Sequence, residues 1–183
     1  LEFRRVLFRS DGAQVHFFDC EFRRAAGHGL VLIHGAQVKA ERCRFIENGW
    51  NGLTAQGEKS DVTLLDSLCQ ANFHHGIEIW QDAAATLQNN RSLENSQNGL
   101  HLDTSAKVTI KNNQFSSNRE FGAVIQRAGS GTMSDNKISL NLLGGIVVAN
   151  AARELSLEKN LVDRNDGPAL MLGKGLRDRK SVV

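Results

Sequence analysis

The 183-residue chain is 40% hydrophobic and 23% charged, with 22 Lys and Arg against 20 Asp and Glu, one Pro and no Tyr. It is within the length of one domain, and it has no run of 18 apolar residues, which excludes a helix that spans a membrane. Helix-period apolar stripes are also missing, so an α-helical bundle is excluded.

Two end segments stand outside any pattern. Leu1 to Ser10 and Asp178 to Val183 look like translated sequencing-adapter tails and are expected to be non-native, leaving residues 11–177 as the organised domain. They carry the basic excess: without them the net charge falls from +2 to about −1. The charge balance therefore points to no nucleic-acid partner.

From residue 11 to 35 the chain alternates apolar and polar residues in three short runs. Val15 and Phe17 come first, then Cys20 and Phe22, then Gly29-Leu30-Val31-Leu32. Period-two runs of this length, broken by turn residues, predict three strands. The same phrase returns as Val38, Ala40, Cys43, Phe45, Leu53 and Ala55, and again as Val62, Leu64, Cys69, Ile77 and Ile79. It is weakest in the fourth unit (Ala85, Leu87, Leu100, Leu102) and strong again from Val108 to Ile125, Met133 to Val148 and Leu155 to Leu172.

Three columns carry the register. Cys20, Cys43, Ser67, Asn90, Asn113, Asn136 and Asn160 follow one another at 23 or 24 residues. Five residues later stand Ala25, Asn48, Asn72, Asn95, Asn118, Asn141 and Asn165, and nine later Gly29, Gly52, Gly76, Gly99, Gly122, Gly145 and Ala169. Ten of the 15 asparagines fall in two columns, which chance does not produce. A repeat of this length implies units that bury their apolar faces only by stacking. Strands this short, joined by turns too short for crossover helices, predict a parallel β-helix of about seven turns, roughly 34 Å long at ~4.8 Å per turn. The asparagines are expected to form ladders at corners near the left-handed region. The glycines mark a corner that needs positive φ or close packing. Pro168 and Ala169 suggest that the seventh turn ends or distorts there.

A phrase of Asn, apolar, Asn, then Gly-apolar-x-apolar at about 23 residues resembles the right-handed parallel β-helix repeats of the pectate-lyase-like superfamily. Residues 13–175 are most similar to the arrays of NosD-type periplasmic proteins and of polysaccharide lyases and epimerases. The resemblance implies an all-β, right-handed solenoid and an exported, periplasmic or secreted protein that binds or processes polysaccharide on its exterior sheet. The local catalytic signatures of mannuronan epimerases and calcium-dependent pectate lyases are missing, so no catalytic residue carries over. A non-catalytic repeat scaffold or adhesin-like stalk, and a NosD-like metal-related component, remain open alternatives.

Strand alternation after each glycine exposes two columns. The first runs Val31, Thr54, Glu78, His101, Val124, Val147, Met171, and the second Ile33, Gln56, Trp80, Asp103, Gln126, Ala149, Gly173. Glu78, Trp80, His101 and Asp103 form a quartet in the middle turns. Glu78 and Asp103, about 8 Å apart on a diagonal, are the expected acid and base, with His101 tuning or replacing one of them. Trp80 offers a flat apolar face to a sugar ring, and Gln56 and Gln126 extend the substrate-binding surface. No metal or other cofactor is expected. His28 and His75 share a column but lie two turns apart, roughly 9.6 Å, and the other histidines fall in different columns. The three cysteines are expected to be free thiols in or beside the core. Cut ends of an array expose strand edges, so end-to-end self-association is expected.

Overall fold

A computed structural model describes residues 12–127, 130–149 and 155–173, together with the backbone of Glu2–Phe3 and Leu7–Phe8. Each turn begins with a five-residue strand such as Gln37–Glu41, bends into a three-residue strand such as Arg44–Ile46, bends again, and closes with a strand such as Leu53–Gln56. Like strands stack in parallel on the turns above and below, giving sheets of eight, eight and seven strands. The chain is a parallel β-solenoid with no α-helix among its described residues, and no described helix is long and apolar enough to cross a membrane.

Alternate residues of the strands from Gln14 to Ala149 point inward, and the inward columns are continuous. Leu30, Leu53, Ile77, Leu100 and Ala123 are fully buried along one sheet. Phe22 and Phe45 stack along another, with ring centroids 4.9 Å apart and planes within 4°. Cys43 and Cys69 are buried, Cys20 is partly buried, and all three are free.

The corners work differently from the sequence expectation. The ladder asparagines are not the residues in the left-handed region; the residue before each of them is. Asp19, Arg42, Asp66, Asn89, Asn112, Asp135 and Lys159 have φ of 48–58°, and the matching residues of the next corner, Arg24 to Arg164, have φ of 51–60°. Each left-handed residue costs about 1–2 kcal/mol, and the ladder behind it supplies the compensation. Asn113 shows how. Its Oδ1 accepts from the backbone N–H (2.8 Å) and Nδ2 (3.0 Å) of Asn90, and its Nδ2 donates to Asn136 Oδ1 (3.0 Å) and Leu87 O (2.9 Å). A buried amide with all four bonds made has no desolvation debt.

The glycine column is set by close packing, not by positive φ. A Cβ on Gly99 would stand 2.7 Å from Gly122 O and 2.8 Å from Asn118 Nδ2, so the second corner closes only without a side chain.

Glu2–Phe3 and Leu7–Phe8 pair in parallel with Glu21–Phe22 and Val31–Leu32 and add one strand to each of two sheets. The seventh turn does not stop at Pro168, because Ile146 to Ala149 pair in register with Leu170 to Gly173. Asp178 to Val183 lie outside the described residues.

Candidate functional site

The exterior column that holds Glu78 forms in the expected register, Val31 on Thr54, Thr54 on Glu78, Glu78 on His101 and His101 on Val124. Its middle is not a solvated face. Thr54 is 1% exposed, and the Glu78 and His101 side chains are 17% exposed each. The corner loops that precede the strands fold over them, bringing His28, Asn51, His75 and Asn98 onto the same surface.

These loop residues form a third ladder. Asn51 Oδ1 accepts from His75 N (2.9 Å), His75 Nδ1 accepts from Asn98 N (3.2 Å), and Asn98 Oδ1 accepts from Phe121 N (3.0 Å). His75 thus fills an asparagine's place. Because a backbone N–H donates to its Nδ1, its own proton sits on Nε2. Burial, reinforced by His101, pushes the His75 pKa down to about 3, and burial also lowers that of His28.

Around this ladder a polar chain crosses four turns. His28 Nδ1 lies 3.0 Å from Thr54 Oγ1, and Asn51 Nδ2 donates to both Thr54 Oγ1 (3.0 Å) and Glu78 Oε2 (2.7 Å). Glu78 Oε1 stands 3.4 Å from His101 Nδ1, in ion-pair range but outside hydrogen-bond alignment. Burial by itself would raise the Glu78 pKa, yet the imidazoles, His101 first, outweigh it and hold the carboxyl below its ordinary range. A carboxylate beside Nδ1 favours the tautomer with its proton on that nitrogen, which leaves Nε2 as the acceptor. His101 also stacks on His75, with centroids 4.8 Å apart and planes 20° apart.

The second exterior column holds Gln56, Trp80 and Asp103 in register. It then breaks. A bulge between Leu102 and Asp103 pairs Asp103 with Arg127, so Gln126 does not continue the column. The extra residue offsets the pairing at Asp103 alone, and Ala149 and Gly173, further along the column, still pair in register. Asp103 forms an ion pair with Arg127 instead of facing Glu78 as a free acid. The Trp80 indole is partly buried, and its Nε1 is sealed from water without a hydrogen-bond partner among the described residues.

The exposed aromatic surface lies at the adjoining corner. Trp50 is 52% exposed, edge-on to His28 at 4.9 Å and parallel to His74 at 6.2 Å within 4°. Phe73 stands beside His74 and is 66% exposed. Sequence reasoning missed Trp50. The available signal was its column, two residues after ladder Asn48 as His74 is two after Asn72.

Ligand atoms of His75, Glu78 and His101 lie within 4.8 Å of one another. An imidazole binds a metal in its ring plane at about 2.0–2.1 Å, and two stacked, nearly parallel rings direct their lone pairs along separate planes. His75 Nδ1 is also committed to Asn98. As arranged, the three side chains do not converge on one ion.

The family model described as "Right handed beta helix region" matches residues 5–92 and 75–177, which together take in nearly the whole chain. No curated protein and no solved structure matches it. Sequence repeat, stacked parallel sheets and family match agree, and the chain belongs to the right-handed β-helix family.

Proposed function

We propose that this is an exported β-helix protein that binds polysaccharide across the exterior face around Glu78 and His101, and processes it there by proton transfer. The observation that carries the reading is a half-buried polar chain from His28 to His101 lying directly beside an exposed indole. Trp50 supplies apolar area for a sugar ring, and Gln56 supplies hydrogen bonds to hydroxyls. His101 Nε2 is the base, and Glu78 orients the ring and stabilises the imidazolium that forms. Asp103, paired with Arg127, and the half-buried Trp80 shape the rim.

A second reading, a non-catalytic scaffold, is favoured by Val31, Val124, Val147 and Met171, which make both ends of the same column aliphatic. A glycan array followed by calorimetry separates the two. Binding is expected to weaken at least tenfold in Trp50→Ala and less in Trp80→Ala, while Glu78→Gln retains binding and loses turnover. Binding without turnover leaves a glycan scaffold; no bound glycan removes the proposal.

A further inference from the structure

We propose that His75 is an acid-sensitive rung in the outer corner ladder: a proton on its Nδ1 sets donor against donor at the Asn98 N–H, opens the corner and releases His101 from its stack. Asn51, His75 and Asn98 each use a side-chain acceptor for a backbone N–H of the next turn. An amide oxygen keeps that role at any moderate pH, whereas an imidazole nitrogen loses it on protonation. The Asn98 side chain offers no rescue, since its Nδ2 also lies against His75 Nδ1, at 3.3 Å.

The surroundings do not welcome a cation. His101 covers one ring face, from strand Leu100–Asp103, and His74 is the chain neighbour. Glu78, from strand Ile77–Trp80, is the one anion facing the site among the described residues, and it is already engaged by Asn51 and His101. Asn51 and Asn98, from the loops on either side, are neutral. The sign follows from these partners. The folded imidazole resists protonation, with its pKa pushed down to about 3 by burial and then by His101, while the unfolded one takes a proton near 6.5. The contribution of the neutral rung is complete above about pH 6.5 and is lost as pH falls below it.

The consequence reaches the functional face. His75 is the surface on which His101 rests, so opening the corner unseats the imidazole that Glu78 orients. The inference concerns the fold and does not depend on which ligand the face takes.

Amide hydrogen exchange at Asn98 in the full chain tests it, between pH 7.5 and 5.0 and corrected for intrinsic rates. Opening linked to one proton predicts a loss of protection of roughly tenfold per pH unit below about pH 6.5. His75→Asn keeps the acceptor that Asn51 and Asn98 use, and is expected to match the parent at pH 7.5 and to stay flat below it. Equal slopes in the two proteins, or a flat parent, would overturn the proposal. If the variant does not fold, nitrogen chemical shifts of the parent decide: a bare Nδ1 and protonated Nε2 retained to pH 5 support it. Titration of His75 near pH 6.5 with the Asn98 amide unmoved contradicts it.

Discussion

Asn118 shows what a single residue contributes to this molecule. Its Oδ1 accepts from Asn95 N (3.1 Å) and Nδ2 (3.0 Å), and its Nδ2 donates to Ser92 O (3.2 Å) and Asn141 Oδ1 (3.0 Å). Asn118→Ala leaves several of these groups buried and unpaired, at about 1–3 kcal/mol each. A loss of at least about 3 kcal/mol in denaturant titration is expected. Asn165→Ala, at the partly exposed top of the same ladder, should cost clearly less. Equal losses at both positions would contradict the view that burial sets the value of a rung. Gly99→Ala should cost about 1–3 kcal/mol by overpacking, since its Cβ would meet a backbone oxygen and a ladder amide. At this scale the columns were legible because a solenoid writes each position seven times. The left-handed residues were not, since Arg42, Leu140 and Lys159 carry no chemical mark of that conformation and adopt it because the ladder behind them demands it.

At the scale of strands, alternation identified the inward faces, and the buried positions Ile110 and Ile125 make the assignment testable. Ile110→Asp or Ile125→Asp places an unpaired charge inside a column closed above and below, a cost of several kcal/mol against a typical stability of about 5–15 kcal/mol. Loss of the cooperative thermal transition is expected; a melt like the parent's would put these residues on the wrong face. The first exterior column was legible in register along its whole length, and the second as far as Asp103. The bulge beyond it was not, because an added residue in a strand of seven, Phe121–Arg127, leaves the repeat length unchanged. The corner loops were also opaque. Their columns contain His28, Asn51 and His75, which read as separate features until the loops fold over the sheet and make them neighbours of Glu78.

Across the whole molecule the core is closed in the middle and open at its last turn. The column that is fully buried at Leu30, Leu53 and Leu100 ends in Leu170, 46% exposed, and its neighbours Leu161 and Leu172 are 56% and 70% exposed. Strands Leu155–Glu158, Leu161–Asp163 and Leu170–Gly173 are at the edge of their sheets, so among the described residues this face carries apolar area and backbone without a partner strand. The protein is expected to associate through it, with mass rising with concentration in light scattering. Leu172→Lys should weaken the association, and a strict monomer at high concentration would count against an adhesive end. Ligand binding on the side face around Glu78 and His101 is tested most directly by a footprint. Hydrogen exchange is measured with and without an oligosaccharide selected on the array. Protection gathered at strands Ile77–Trp80 and Leu100–Asp103 and at the corner containing Trp50 is the predicted result. Protection on the sheet of Asp61–Leu65, or none anywhere at a saturating concentration, would contradict it.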